Sequence, residues 1–225
     1  MMTLEGKAVM VTGAMGNLAQ AVLPAFRHAG ARVIAVDRQV PAEPLDGMIV
    51  LGADVTKPEE VRRLVQEAIA KAGRIDVLVN LVGGFAAGRL SETEPPVWDT
   101  MLSLNLNTAF LLSQAVLRPM VQHGAGRILH VAARAAVEPF PGAAAYIVAK
   151  SGLIALIKVL ALEHAGSGVS INGVLPTTID TPANRKSMPD ADWNQWVKPQ
   201  DLATLLVFLA SDGAKAINGA LIPIG

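Results

Sequence analysis

Lys7-Ala8-Val9-Met10-Val11-Thr12-Gly13-Ala14-Met15-Gly16-Asn17-Leu18-Ala19 decides the fold. A β-branched apolar run of strand length meets a glycine turn, and a stretch of helical period follows at once. Glycine lets backbone amides come close to a pyrophosphate, and the start of a helix supplies free N–H groups and positive potential. The spacing is G-x-x-G-x-x-A rather than G-x-G-x-x-G, so the turn is a moderate signal by itself. Pro24, inside the helical stretch, is a candidate kink.

The same alternation continues outward. Lys7 to Val11, Arg32 to Val36, Met48 to Leu51, Ile75 to Asn80, Arg127 to Val131, Val169 to Val174 and Ala220 to Ile224 read as strands separated by helical stretches. This predicts a single-domain α/β protein over residues 1–225, with a Rossmann-type, doubly wound, seven-stranded parallel sheet. Before the fourth strand, Thr56 and Glu59 read as a capping box, Val61, Leu64, Val65, Ala68, Ile69 and Ala72 as one apolar stripe, and Gly73 as its stop. Residues 181–198 are polar, interrupted by proline, and carry two of the three tryptophans. They read as a lid or as an exposed loop.

Apolar residues make up 52% of the chain and charged ones 17%, as suits a sheet covered on both faces. Lys plus Arg (19) equals Asp plus Glu (19), so no net field draws the chain to nucleic acid or an anionic membrane, and a small-molecule substrate is expected. With no cysteine and four scattered histidines, no metal site is expected. Met1 to Met10 lacks the features of a signal peptide, and no stretch is expected to approach the roughly 20 apolar residues of a membrane span. A cytoplasmic protein is the resulting expectation.

Asp37 ends the second strand, roughly 20 residues past the glycine turn, where a carboxylate can accept both hydroxyls of an adenosine ribose. This favours NAD(H). Arg38 beside it can compensate a 2′-phosphate and keeps NADP(H) open. Asp54 with Val55 can hold an adenine edge or simply shape a turn. Tyr146 is the single tyrosine, and Lys150 follows one helical turn later on the same face. A neighbouring ammonium stabilises a phenolate, so the pair is expected to bring the tyrosine from near pH 10 toward the working range for proton transfer.

These residues together resemble the short-chain dehydrogenase/reductase family along essentially the whole chain. Thr12 to Ala19, Asp54-Val55, Asn80 to Gly84, Asn105, Tyr146-x-x-x-Lys150 and Asn172 to Thr181 fall in the family's order. The resemblance implies that Gly13, Met15, Gly16, Asn17 and Leu18 form the phosphate turn and that Asn80 and Gly83 shape the wall beside the cofactor. It implies that Asn105 holds a water in the proton path to Lys150 and that Lys150 also bonds the nicotinamide ribose. It further implies that Pro176 lies on the nicotinamide side and that Ile179 and Thr181 fix the carboxamide.

Two positions depart from the family. Its substrate-orienting serine is replaced by Ala133, in His130-Val131-Ala132-Ala133-Arg134-Ala135-Ala136, and Thr177 follows Pro176 where glycine is usual. An alanine there, and the run from Asp180 to Trp193, are similar to the dihydropteridine reductase branch. A quinonoid dihydropterin is already electrophilic and needs less help from a serine hydroxyl. The readings kept open are therefore a reductase of a conjugated, pterin-like acceptor, a carbonyl reductase or alcohol dehydrogenase such as a 3-oxoacyl thioester reductase, and a non-catalytic NAD(H)-binding regulator. The helices around Asn107 to Gln122 and Ala143 to Ala165 are apolar on more than one side. They are expected to pair copies into a homodimer or homotetramer, with Leu153, Leu156, Ile157 and Leu160 as candidate contacts or as core.

Overall fold

In the computed structural model of the chain, which describes residues 3–43 and 45–225, one parallel sheet takes strands from the whole length. The strands are β1 (Ala8–Thr12), β2 (Arg32–Asp37), β3 (Ile49–Gly52), β4 (Val77–Asn80), β5 (Gly126–Val131), β6 (Val169–Pro176) and β7 (Leu221–Ile224). Their order across the sheet is β3-β2-β1-β4-β5-β6-β7. Every expected strand is present, with ends shifted by one or two residues. β6 runs on to Pro176 because β7 pairs with it as far as Ile224. Met1 and Met2, at the head of the N-terminal apolar run, lie outside the described residues.

The helices are α1 (Ala19–His28), α2 (Pro58–Ala72), α3 (Pro95–Leu102), α4 (Thr108–His123), α5 (Ala144–Glu163), α6 (Pro182–Ser187) and α7 (Pro199–Ala210). Side chains alternate across each strand, so each face of the sheet has its own core. Val9, Val11 and Val33 pack with Val22, Phe26, Leu202 and Leu206 of α1 and α7. Met10, Ile34 and Ile128 pack with Leu64, Leu112 and Ile157 of α2, α4 and α5. The chain moves outward from β1 to β3 and returns to β4, so strand order reverses between β1 and β4. A crevice for ligands opens at the carboxyl ends of the strands at such a reversal.

Several local expectations are corrected. The capping box does not form, because Pro58 starts α2 and Lys57 is its N-cap, without a side-chain cap. The Asp54 carboxylate instead takes the Thr56 N–H (3.1 Å) and hydroxyl (2.6 Å), and Glu60 accepts the Asp54 N–H at 2.7 Å. Pro24 leaves α1 unbroken and lies on its exposed side. The expectation that no apolar stretch is long enough to span a membrane also fails. α5, with 20 residues, and the run Pro95–His123 both reach that length and apolarity. α5 is apolar on its outer side as well as on the face it lays on the sheet. That same geometry sorts its leucines: Leu153 and Ile157 are buried against the sheet, whereas Leu156 and Leu160 are half-buried and line an outward groove with Phe110, Leu117 and Val121 of α4. Leu153 and Ile157 are therefore core, not contact, residues.

Candidate active site

The sequence-derived site residues follow the carboxyl ends of β1, β2, β3, β4, β5 and β6 or stand on α5 and on the turn before α4. After β1, Gly13 takes φ +74°, a left-handed conformation, and a Cβ there would press on the Leu81 and Val82 backbone at 3.2 Å. Gly16 and Asn17 are exposed at the mouth of the crevice, with Met15 and Leu18 half-buried behind them. No side chain caps the start of α1. The Gly16, Ala19 and Ala21 N–H groups donate to the Gly13, Gly16 and Leu18 carbonyls, which leaves those of Asn17 and Leu18, among the described residues, as the donors an anion could meet. Asp37 braces this turn: one carboxylate oxygen accepts the Met15 N–H at 2.9 Å and the other the Gln39 N–H at 3.2 Å. A carboxylate oxygen can accept more than one donor, so ribose hydroxyls remain within its capacity.

Arg38 is exposed. Asp54 is held below the ordinary carboxylate range, first by the Thr56 hydroxyl and then by the Thr56 N–H, Lys57 and Arg38. Its carboxylate is occupied with its own turn, and the Val55 side chain is part of the core. What these two residues present to an adenine is therefore mainly their backbone.

The centre of the site is built on α5. The Lys150 ammonium is buried, donates to the Val131 carbonyl at 2.7 Å, and lies 6.0 Å from the centroid of the Tyr146 ring. Phe85 meets that ring edge-on, with centroids 5.1 Å apart. Burial pushes the Lys150 amine down to about 8 and the Tyr146 phenol up to about 12. The expected lowering of the tyrosine is thus reversed. Desolvation disfavours both charged forms, and Lys150 turns toward a carbonyl rather than toward the phenol oxygen. Tyr146 is thus protonated across the neutral range.

Gly83 packs against Asn105 and beside this pair. A Cβ on it would stand 2.8 Å from Asn105 Oδ1 and 3.5 Å from Lys150 Nζ, so only glycine fits without displacing a neighbour. Asn105 lies in a π-helical turn, Ser103–Asn107, at the junction of α3 and α4. Its amide donates to the Gly84 and Met101 carbonyls, both at 3.0 Å, and its oxygen accepts the Gly84 N–H at 3.2 Å. The side chain so committed braces Gly84 against Met101. Asn80 accepts from the Thr12 hydroxyl (2.9 Å) and the Val82 N–H (3.1 Å), which fixes the start of the Leu81 to Gly84 wall.

Ala133 is buried just after β5 and offers a methyl group where the serine hydroxyl was looked for. Pro176 is buried at the end of β6, Thr177 is exposed, and Ile179 is half-buried. The Thr181 hydroxyl caps α6 by accepting the Asn184 N–H at 3.2 Å. The expected lid holds α6 and a short 3-10 turn, Trp193–Gln195. Its two ends are stitched together, the Asp180 N–H donating to Val197 O (2.8 Å) and the Val197 N–H to Thr178 O (2.9 Å). Within it Arg185 forks onto Asp180 and lies 4.6 Å over the Trp193 ring.

Sequence reasoning missed Phe85 and the buried pair His130 and Ser113. A histidine among the apolar residues Ile128, Leu129 and Val131 of β5 was a readable signal. Phe85, in a loop, gave none.

A glycine turn ahead of a helix, a carboxylate at the end of the next strand, and a half-buried tyrosine with a buried lysine on one edge of a parallel sheet are the arrangement expected of a nicotinamide-dinucleotide oxidoreductase. The comparisons agree: the short chain dehydrogenase family matches residues 7–192. The chain belongs to the short-chain dehydrogenase/reductase family. It is 34% identical to a D-threitol dehydrogenase of Mycolicibacterium smegmatis, across 96% of this chain and 90% of that protein. It is 30% identical to the 3-oxoacyl-(acyl-carrier-protein) reductase FabG of Thermotoga maritima, across 99% and 98%. The structure of Thermoplasma acidophilum aldohexose dehydrogenase superposes with a TM-score of 0.90 at 28% identity, covering 98% of this chain and 93% of that one. The protein is an NAD(P)-dependent enzyme.

Proposed function

We propose that the chain reduces a small, planar, conjugated acceptor of the quinonoid dihydropterin type, with NADH as the reductant and Tyr146 as proton donor. The observation that carries this reading is Ala133. An ordinary ketone needs a donor to stabilise its developing oxyanion, and losing one such donor costs about a hundredfold or more. An acceptor already polarised by conjugation does not depend on that hydroxyl. Phe85, exposed and edge-on to Tyr146, offers an aromatic surface for a flat substrate. Bound NADH supplies the hydride; Gly13 to Leu18, Asp37, Asn80, Gly83, Lys150, Pro176, Ile179 and Thr181 are the residues that would hold it. The phenol of Tyr146 gives up its proton, and Lys150 offsets the phenolate that remains.

The test is NADH oxidation at 340 nm with quinonoid dihydropterin, corrected for the uncatalysed rate. Turnover well above background supports the reading. No turnover from protein that binds NADH overturns it.

A carbonyl reductase or polyol dehydrogenase is the second reading, favoured by relatives named D-threitol dehydrogenase, 3-oxoacyl-(acyl-carrier-protein) reductase and meso-2,3-butanediol dehydrogenase. Ala133→Ser separates the two. On the carbonyl reading, the restored donor raises ketone reduction by about tenfold to a hundredfold. On the conjugated-acceptor reading, pterin turnover stays level or drops.

The preference for NADH rests on Asp37, whose charge opposes a 2′-phosphate. Asp37→Ser is expected to move the NADH-to-NADPH ratio of kcat/KM toward NADPH by about tenfold, equivalent to about 1.4 kcal/mol. It also weakens NADH binding, because the Met15 N–H loses a charged acceptor. An unchanged ratio would take Asp37 out of cofactor choice.

The reading includes a cytoplasmic enzyme that pairs as a homodimer or homotetramer through the α4 and α5 groove. Light scattering on the eluting protein should then give two or four times the 23.5 kDa chain mass. A single-chain mass would refute the pairing.

A further inference from the structure

The α2, α4 and α5 side of the sheet carries a row of polar side chains at the carboxyl ends of its central strands. Thr12 of β1, Asn80 of β4 and His130 of β5 are register partners, so their side chains stand side by side on that face. All three are buried, as is Ser113 of α4 above them. The Thr12 hydroxyl donates to Asn80 Oδ1 at 2.9 Å, and the Val82 N–H donates to the same oxygen at 3.1 Å. That orients the amide, because its oxygen is the one atom that can face two donors. Asn80 Nδ2 therefore points along the row and donates to His130 Nδ1 at 3.4 Å. An Nδ1 that accepts bears no proton, so the ring carries its proton on Nε2 and donates it to Ser113 Oγ at 3.0 Å. A second proton on the ring would face the Asn80 amide hydrogens. Burial, followed by the nearby Lys150 charge, holds the ring neutral, down to about 3.

The two ends of this row lie at the two halves of the site. Thr12 opens the phosphate turn, and Asn80 holds the Val82 N–H at the root of the wall whose Gly83 abuts Asn105 and Lys150. His130 directly precedes Val131, whose carbonyl is the Lys150 acceptor. We propose that His130, fixed as the neutral Nε2–H tautomer, is a positioning residue that locks the cofactor wall and the Lys150 acceptor in one register. It touches no reacting atom and acts through Asn80 and Val131. This inference rests on the role given above to Lys150. Its failure is separable from a failure of that role, because the tautomer of His130 is read without turnover.

Removing the ring leaves the buried Asn80 Nδ2 without its acceptor and opens space beside it, into which the amide can shift, carrying the Val82 N–H that its oxygen holds. The wall then shifts, and displacements of about 1 Å at such sites cost on the order of a hundredfold. His130→Leu is expected to raise KM for NADH about tenfold while lowering kcat about tenfold to a hundredfold. His130→Gln keeps one acceptor and one donor and is expected to restore most of both constants. A purely structural role predicts a lower melting temperature in His130→Leu with normal constants per folded, NADH-binding molecule, and that result would overturn the proposal. Should His130→Leu fail to fold, long-range ¹H–¹⁵N spectra of the parent enzyme still decide. A constant neutral Nε2–H pattern from pH 5.5 to 8.5 is expected. An Nδ1–H tautomer, or a titration within that range, would refute it.

Discussion

Tyr146→Phe is expected to lower kcat by about a hundredfold to ten-thousandfold, the usual worth of a positioned general acid, with NADH affinity close to that of the parent. The substitution deletes one oxygen and keeps the ring, so the edge-on contact with Phe85 at 5.1 Å survives. The effect should therefore appear in kcat and not in the binding of cofactor, which a fluorescence titration of NADH measures separately. The direction of the pKa adds a second readout. With the phenol pushed up to about 12 by burial, the proton-donating form is the populated one throughout the neutral range. Reduction then shows no limb from Tyr146 below pH 10. The reverse oxidation needs the phenolate and should climb with pH. A Tyr146→Phe enzyme with undiminished reduction would remove the phenol from the mechanism and leave the cofactor site standing.

What the sequence disclosed and what it withheld divide along physical lines. The sheet was readable because β-branched runs such as Arg32 to Val36 alternate with long helical stretches, and a parallel sheet has few other ways to connect them. The turn at Gly13 and the Tyr146–Lys150 pair were readable because their spacing is local: one turn of backbone or one turn of helix. Quantities set by long-range burial were not. Whether Lys150 lowers Tyr146 depends on where its ammonium points, and Val131, nineteen residues earlier in the chain, decides that. Leu153 and Leu156 look alike in an apolar helix, and only the side on which the sheet lies makes one core and the other surface. Thr56 and Glu59 fit a capping pattern, yet Asp54 competes for the same hydroxyl and wins because its carboxylate is charged. The row Thr12, Asn80 and His130 exists only through strand register, which no local window contains.

Lys150→Met should also lower kcat by on the order of a hundredfold or more, since it removes the charge that stabilises the phenolate left after proton transfer. Methionine keeps much of the apolar stem, so the helix face remains filled. The pH profile separates electrostatics from packing. Burial holds the amine down to about 8, so the ammonium is present below that pH and lost above it. Reduction by the parent should fall as pH rises through 8, and in Lys150→Met that limb should be missing. Stability supplies an independent check with a fixed sign. The amine's folded value, about 8, lies below its ordinary 10.5, so between these values the unfolded chain binds more protons than the folded one. The parent must therefore gain stability relative to Lys150→Met as pH rises from 8 to 10.5, by at most about 1.4 kcal/mol per pH unit. Denaturant midpoints of the two proteins across that window measure the difference directly. If the midpoints run parallel while the limb near pH 8 persists in the variant, Lys150 is neither the titrating group nor the source of the charge, and the origin of that limb must be sought on another residue.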